Sequence, residues 1–452
     1  MGASAHLGYW VAAWAGLAGL VLLSQRRRGV LGSGLVAAYV LNLALNHWLG
    51  GAIYVQPGYL SSDPDIVALG FQQSTFALGA FAVGVILLAP LLARRMQTRP
   101  PDVVSISQES PPVRLYLLVG LAAFIGVAVL PVRVPTLEAI GAQGWGLLIV
   151  GLGLGCWNAW RARSLAFLLW LGGTLLLPFV TIVTQGFLGF GTVATMAILT
   201  FVASFSRPGW KGLLATLVLS YMALSVFVTY MRDRSQIRDV VWGGGPLAAR
   251  VDQVTQTVGS LEWFDPSNPD HVDRIDSRLN QNLLVGQAVT YLDQGLAEYA
   301  QGESVWNGVL ALVPRAIWPG KPVAAGSAGL VSRFTGVEFA SGTSVGIGNV
   351  MESYISFGTA GVLVAFAVLG TVIGTVDSMA GRRLRESDWR GFLLWYLPGL
   401  SLLQVGGSFV EITSSVGAAL IAVLLVARLL RPVTASDVTR HMVGTSPALS
   451  RV

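Results

Sequence analysis

Apolar runs long enough to cross a bilayer alternate with polar loops along most of the chain. A bilayer core of about 30 Å needs roughly 20 residues of helix, and the runs match that length. The pattern therefore predicts an all-α polytopic membrane protein. Its eleven predicted spans are 8–24, 29–46, 67–92, 114–131, 144–160, 164–182, 187–205, 211–230, 356–376, 391–410 and 412–430.

These spans divide the chain into four parts. Residues 1–230 hold spans one to eight, and residues 231–355 form a long hydrophilic loop domain with an amphipathic helix. Residues 356–431 hold the last three spans, and the polar tail 432–452 is predicted to be a disordered cytoplasmic tail. The loop domain is therefore the candidate functional domain.

Charge is scarce and unevenly placed. Charged residues make up 12% of the chain, about half the share of a soluble domain. Nineteen of the 29 lysines and arginines lie on one side of the predicted membrane, whereas the short loops opposite keep only Arg133. Because cytoplasmic loops are enriched in these residues, we expect the C-terminus inside, and the N-terminus and long loop outside. The net charge of +6 thus reflects topology and does not indicate nucleic-acid binding. With Cys156 as the single cysteine, an intramolecular disulfide is excluded.

The loop opens with the clustered charges of "YMRDRSQIRD", which include Arg232 and Asp233. They are either functional or mutually paired at the interface. Further on, Asn268 and Pro269 predict a helix start, and apolar residues follow at helical spacing through 292 if Gly286 is tolerated. Arg274 and Arg278 lie one turn apart on this helix, as ligands or as solvated surface charges.

A proline-rich stretch, "VPRAIWPGKP", follows at 313–322. Its prolines make it stiff and non-helical. Arg315 offers a planar fork to phosphate oxygens, and Lys321 adds a compact charge. Trp318 is the residue type expected at a membrane interface. The stretch therefore suits either the pyrophosphate of a polyprenyl lipid or an ordinary contact with phospholipid headgroups.

The loop ends in "GNVMESYISFGTAG", where Glu352 and Tyr354 stand at the outer start of span nine. Glu352 is either a catalytic base or a charge favoured at a helix start.

The two stretches together resemble the Wzy-type oligosaccharide repeat-unit polymerases, the O-antigen polymerase class. The resemblance lies in the segment Pro-Arg-x-x-Trp-Pro-x-Lys-Pro and in Glu-x-Tyr-x-x-Phe-Gly-x-x-Gly about thirty residues later, and the upstream "DRIDSRLNQ" helix fits the same layout. The motifs cover roughly a third of the chain, and the rest agrees only in hydropathy.

The resemblance implies a glycosyltransferase of the GT-C type in a bacterial inner membrane. It would join oligosaccharide repeat units carried on undecaprenyl pyrophosphate at the periplasmic face, with the N-terminus and long loop periplasmic and the C-terminus cytoplasmic. No cofactor or metal is implied. The expected partners are the lipid-linked oligosaccharide, membrane lipids, a chain-length regulator and a flippase.

In this scheme the cations stabilise the departing pyrophosphate and a carboxylate accepts the proton of the attacking hydroxyl. Arg315 is the first candidate catalytic cation, Glu352 the leading base and Asp233 the reserve base. The candidate pyrophosphate ligands are Arg315, Lys321, Arg278, Arg232, Arg274, Trp318 and Tyr354.

Two other functions remain open from the sequence. An O-antigen-type ligase would pass the same donor glycan to a different acceptor. A transporter of polysaccharide or lipid-linked oligosaccharide is of a different class, and ionisable residues inside the spans, which would favour it, are scarce.

Four smaller signals have structural interpretations. We expect Asp63 of "SSDPD" to cap a helix rather than bind metal, and the glycine-rich runs to pack helices closely. We expect His271 to be a surface histidine at a helix start, and Asp377 a charge at the cytoplasmic end of span nine.

Overall fold

A computed structural model describes residues 3–27, 32–59, 63–96, 110–129, 135–313, 318, 320, 327–339 and 345–429. These residues contain helices and loops and no strand. The helices are α1 (Leu7–Arg27), α2 (Leu35–Leu43), α3 (Leu49–Ile53), α4 (Pro64–Val83), α5 (Ala89–Met96), α6 (Val113–Val129), α7 (Pro135–Arg161), α8 (Ala166–Leu175), α9 (Leu177–Gln185), α10 (Gly189–Ser206), α11 (Trp210–Trp242), α12 (Leu247–Gly259), α13 (Pro269–Leu279), α14 (Asn282–Asp293), α15 (Glu303–Ala311), α16 (Ser327–Thr335), α17 (Asn349–Arg385), α18 (Trp389–Ser401) and α19 (Phe409–Leu429). One π-helical turn, Ala44–Trp48, joins α2 to α3, and another, Gly84–Leu88, joins α4 to α5.

The described part of the chain has nine helical stretches that are long and apolar enough to cross a membrane. They are Ser4–Arg27, Leu35–Ile53, Pro64–Met96, Leu137–Arg161, Ala166–Gln185, Gly189–Ser206, Trp210–Trp242, Asn349–Arg385 and Phe409–Leu429. The other two predicted spans correspond to shorter helices, α6 with 17 residues and α18 with 13. The prediction of an all-α polytopic membrane protein is confirmed, whereas the number of eleven spans stays a prediction.

Glycines let α4 pack backbone to backbone against two other helices. A Cβ at Gly70 would collide with the Asn282 carbonyl of α14, and one at Gly286 of α14 would collide with the Ile66 carbonyl of α4. In the π-helical continuation of α4, a Cβ at Gly84 would collide with the Ala367 carbonyl of α17, and one at Gly370 of α17 would collide with the Phe81 carbonyl of α4.

The glycine-rich runs of the sequence prediction are 150–160 and 185–191. In them a Cβ at Gly151 would collide with the Leu117 side chain, and one at Gly191 with the Leu177 carbonyl. Close packing is therefore confirmed at these two positions.

The bundle has two chemically different ends. At one end, which we call the loop end, lie the end of α3, the start of α4, the junction of α13 with α14 and the start of α17. At the opposite end, α1 finishes in Arg26 and Arg27, and α17 finishes in Arg382, Arg383 and Arg385. The charge asymmetry along the sequence thus becomes an asymmetry between the ends of the folded bundle.

Both predicted helix caps are present. The Asp63 carboxylate accepts a hydrogen bond from the Asp65 amide at 3.0 Å, and Asn268 does the same for the Asp270 amide, also at 3.0 Å. A proline occupies the first helical position in each case. The cap interpretation of Asp63 is confirmed.

Three predictions about α13, α14 and α17 need correction. The stripe predicted as one amphipathic helix from Pro269 to Leu292 is two helices, because the chain breaks at Asn280 and Gln281. His271 is buried rather than on the surface. Asp377 is not a solvated end charge: it is buried and accepts hydrogen bonds from the Ser33 amide, the Ser33 hydroxyl and the Leu35 amide, so it caps the start of α2.

Helix α17 is interrupted near the loop end. Phe357 and Gly358 have non-helical backbone angles, and Gly358 has φ 62° and ψ −153°, a conformation that essentially only glycine adopts. The interruption frees the Ile355 carbonyl, which accepts a hydrogen bond from the Ala300 amide at 2.8 Å. A Cβ at Gly361 would meet the Ser353 carbonyl, so this glycine accommodates the chain just after the break. The Phe-Gly-x-x-Gly pattern is thus the sequence of a broken helix.

We predict that Gly358→Ala lowers stability by about 1–3 kcal/mol, because alanine would be strained at this backbone conformation. The thermal unfolding midpoint in detergent measures the effect. Gly172→Ala is the matched control, since a Cβ at this helical glycine of α8 meets no other atom within 4 Å. Equal midpoints for Gly358→Ala and Gly172→Ala would contradict the strained interpretation of the break.

Candidate functional site

Four of the predicted site residues lie at the outer part of α11 and on α13, but they do not form one group. Arg232 binds Asp233 at 2.7 Å and Glu262 at 2.6 Å. Arg274 binds the other oxygen of Glu262 at 3.0 Å, and His271 lies 3.4 Å from the same oxygen. We call these five residues the ion-pair cluster. The sequence left the charges at the start of the loop domain as either functional or mutually paired. Arg232 and Asp233 are paired with each other in the structure.

Glu262 is the centre of the ion-pair cluster, and sequence reasoning did not single it out. The Glu262 amide donates a hydrogen bond to the Thr229 hydroxyl at 2.9 Å, which holds Glu262 beside α11. Hydrogen bonds from Arg232 and then from Arg274 lower the pKa of Glu262 from its ordinary value. The carboxylate is therefore ionised and occupied by two guanidinium groups, so Arg232 and Arg274 have little capacity left for a ligand.

A second group of arginines is not paired with a carboxylate in this way. Arg234 and Arg238 of α11 and Arg278 of α13 make no ion pair with any carboxylate in the described ranges. Partial desolvation by the surrounding protein, and then the charges of Arg234 and Arg238, lower the pKa of Arg278, although its side chain remains exposed. The three guanidinium groups are therefore close enough to repel each other. We call them the arginine trio; of its members, sequence reasoning proposed only Arg278 as a ligand.

Arg238 is held in place by aromatic rings. Its guanidinium carbon lies 4.6 Å from the ring centre of Phe187 and 4.7 Å from that of Trp242. Trp242 is itself fixed by a 3.1 Å hydrogen bond from its indole nitrogen to the Gln185 carbonyl. The Arg238 Nε is buried and has no hydrogen-bond partner among the residues that the structure describes. A fixed guanidinium with an unused buried donor, beside two further cations, is suited to receive an anion.

Glu352 lies on α17 just before its break and is fully buried. Its Oε2 accepts a hydrogen bond from the Phe409 amide at 2.7 Å. Its Oε1 has no well-formed hydrogen bond within the described part of the chain, although the Ser304 side chain lies beside it. A buried carboxylate oxygen without a partner is unusual in proteins and is a common feature of reactive sites. Glu352 lies in the first turn of α17 but caps the start of α19, so its two interpretations, catalytic base and helix-start charge, both stay predictions.

A second carboxylate, Glu411, adjoins Glu352 at the start of α19. The Ser408 amide donates to Glu411 at 3.0 Å, and the Glu411 amide donates to the Ser408 hydroxyl at 3.3 Å, which is a capping box. The Ser-x-x-Glu spacing of "SFVE" could have identified this box from the sequence. The amides of Ser408 and Phe409 therefore hold the two carboxylates side by side.

The remaining predicted residues differ in how far the structure describes them. Tyr354 is buried, with its ring centre 6.4 Å from that of Tyr299. Trp318 is 41% exposed, as an interfacial residue would be. Arg315 and Lys321 lie outside the described residues, so their predicted roles stay predictions.

A buried polar network connects the junction of α13 and α14 to the π-helical turn in the second span. The Asn282 amide group donates at 2.8 Å to both the His47 carbonyl and Asn280 Oδ1, so its own oxygen accepts from His47 Nδ1, also at 2.8 Å. Asn280 donates to Asp276, which also accepts from the Tyr54 and Tyr59 hydroxyls. This network fixes α13, and with it Arg278, to the membrane bundle.

The structure therefore separates what the sequence grouped together. The arginine trio lies on α11 and α13, and Glu352 lies with Glu411 where α17, α15 and α19 meet. Both are at the loop end, and the junction of α13 with α14 links them: the Gln281 side chain packs against Gly348, one turn before Glu352. Across the described ranges no group of three or more His, Cys, Asp or Glu residues is placed to hold a metal ion.

A family model described as a domain of unknown function, DUF8712, matches residues 80–435. The match covers more than half of the chain, and the chain belongs to this family. No curated protein and no solved structure matches the chain.

We predict that Glu262→Gln makes stability less sensitive to acid. A carboxyl group with a lowered pKa contributes stability above its unfolded value of 4.5 and loses that contribution as the pH falls through its folded value. The wild type should therefore lose more stability between pH 6 and pH 3 than the variant, which starts from a lower midpoint at pH 7. Thermal unfolding across this range measures both effects.

Glu298→Gln is the charge-matched control, because Glu298 is exposed and lies outside the ion-pair cluster. If Glu298→Gln and Glu262→Gln gave the same pH dependence, Glu262 would not be the acid-sensitive centre of the cluster.

Proposed function

We propose that this protein is a membrane glycosyltransferase that polymerises oligosaccharide repeat units carried on undecaprenyl pyrophosphate, in the manner of the O-antigen polymerases. The observation that carries the proposal is the arginine trio, which has no carboxylate partner among the described residues and lies at the same end of the bundle as the buried Glu352. The motif resemblance supports the same conclusion independently. An eleven-span architecture of the GT-C type is part of the proposal.

The charge of the trio favours a ligand with several negative charges. Three guanidinium groups that repel each other gain most from a group that touches all of them, and a diphosphate offers oxygens in the required number. Trp242 beside Arg238 is of the residue type found at membrane interfaces, which favours a lipid-borne diphosphate over a soluble one. Arg232 and Arg274 support the site indirectly through the ion-pair cluster.

The chemistry requires a base and a stabilised leaving group. A hydroxyl oxygen of the acceptor repeat unit attacks the sugar C1, a new glycosidic bond forms, and the bond from C1 to the lipid pyrophosphate breaks. Glu352 Oε1 takes the hydroxyl proton, while cations stabilise the charge that passes to the pyrophosphate. Arg315 and Lys321 are proposed to meet this leaving group, and the arginine trio to hold a diphosphate at the membrane surface. Asp233, which Arg232 binds, is the weaker candidate base.

The proposal includes location and partners. The protein lies in a bacterial inner membrane with its N-terminus and loop end periplasmic and its C-terminus cytoplasmic. A flippase delivers repeat units to that side, and a chain-length regulator acts on the product.

Reconstitution in liposomes with lipid-linked repeat units extracted from a host strain that lacks the gene tests the proposal. Formation of a ladder of polymer lengths supports a polymerase. Transfer of the glycan to a second lipid identifies a ligase instead, and movement of the lipid across the bilayer without bond formation identifies a transporter; either result overturns the proposal.

We predict that Arg238→Gln and Arg278→Gln each raise the KM for the lipid-linked repeat unit about 10- to 100-fold. This range corresponds to the loss of a hydrogen bond to a charged group, about 1.5–3 kcal/mol. Arg333→Gln is the control, since Arg333 pairs with Glu303 on the surface and should leave KM unchanged. An unchanged KM in both trio variants would remove the arginine trio from substrate binding.

We predict that Glu352→Gln lowers kcat by about 10²–10⁴-fold, the usual contribution of a general base. Glutamine keeps an oxygen that can accept the Phe409 amide, so the helix cap and the folded state persist. Single-turnover assays at matched protein concentration provide the measurement, and the thermal midpoint verifies the fold. Normal turnover in this variant would leave Glu352 with a capping role only.

A further inference from the structure

Helix α12 presents three different faces around its axis. Its packing face carries Val254 and Thr257, which are buried against α11 and α9. Its polar face carries Asp252 and Gln256, which are exposed. Its third face is an apolar stripe of exposed residues, Leu247, Val251 and Val258. At 3.6 residues per turn, these three positions fall within about 40° of one another around the helix axis.

The apolar stripe has no partner in the described structure. Leu247 is 67% exposed, and Val251 and Val258 are each 45% exposed. Two exposed tryptophans flank the helix, Trp242 before it and Trp263 after it. An exposed apolar stripe with tryptophan at both ends is typical of a helix that lies in the interface of a bilayer.

The segment that follows α12 touches an exposed apolar face of the spanning helix α11. Leu213, Leu217 and Tyr221 of the spanning helix α11 are exposed along its length. The Trp263 ring stacks on the Tyr221 ring, with centroids 5.9 Å apart and planes at 6°. The segment after α12 is therefore held through Trp263 against the exposed apolar face of α11.

The position of α12 is fixed by α11. It runs antiparallel to the outer part of α11, because the Gly245 amide bonds the Val240 carbonyl at its start and Arg232 bonds the Ser260 carbonyl at its end. The packing face is thus held against protein, so the stripe can be covered only from outside the bundle.

We propose that α12 is an interfacial helix whose apolar stripe, Leu247, Val251 and Val258, rests on the acyl chains just below the headgroups of the leaflet at the loop end. Its packing face contacts α11, its stripe contacts lipid, and Asp252 and Gln256 face water. The partner is the lipid surface itself, and this assignment stands whether or not the protein is a polymerase. One consequence is that α11, and with it Arg234 and Arg238, is anchored at headgroup depth.

Nitroxide labels at single cysteines test the proposal in the full-length protein reconstituted in phosphatidylcholine–phosphatidylglycerol vesicles. Cys156→Ala gives a cysteine-free background, since the chain has one cysteine. Labels at Val251 and Val258 probe the stripe, labels at Asp252 and Gln256 probe the polar face of the same helix, and a label at Leu217 reports the lipid-facing side of α11. Collision rates with oxygen, which concentrates in lipid, and with a water-soluble nickel chelate are compared at each position.

The expected result is an oxygen-to-nickel ratio at Val251 and Val258 several-fold above that at Asp252 and Gln256, and close to that at Leu217. A ratio at the stripe equal to that at the polar face would mean that the stripe faces water and would overturn the proposal. Low collision rates with both reagents at the stripe would also overturn it, because they would mean that protein rather than lipid covers the helix. All four α12 positions are exposed, so labelling removes no packed side chain.

Discussion

The contact of α4 with α14 and α17 is the constraint on which the rest of the structure depends. Helices in a bilayer gain little from hydrophobic association, so close backbone approach at small residues provides much of their packing energy. Gly70 and Gly286 bring α14 onto α4, and Gly84 and Gly370 bring α17 onto the same helix. Since α14 belongs to the loop region, this contact fixes the loop to the membrane bundle. The network from His47 to Asp276 then orients α13 on that fixed base.

Compensation of charge distinguishes the two groups of cations at the loop end. Glu262 neutralises Arg232 and Arg274, and the result is a structural element that ties the segment before α13 to α11. The arginine trio repels itself and is held together by the surrounding fold, which costs stability. Strongly perturbed charged groups are more frequent at functional sites than elsewhere in proteins. The difference lies in the placement of one carboxylate, which no local pattern reveals.

The sequence predicted the fold class and the helix starts well because these depend on local patterns. Asn268 and Asp63 act on amides two residues away, so their caps were predictable. Asp377 was mispredicted because its partners, Ser33 and Leu35, are more than 340 residues distant. Arg238 was not proposed as a ligand because its significance comes from Phe187 and Trp242, which the fold brings around it. The capping box of Glu411 was predictable in principle, since Ser408 is three residues away.

The interruption at Phe357 and Gly358 divides α17 into a short outer part and a long inner part. Beyond the break, the long inner part of α17 is held by α4 and its π-helical continuation. Before the break, the short outer part is bonded through the Ile355 carbonyl to Ala300 and through Glu352 to the Phe409 amide. The carboxylate is therefore positioned by the loop and by the start of α19, and the break interrupts the regular helical backbone between it and the long transmembrane part of α17.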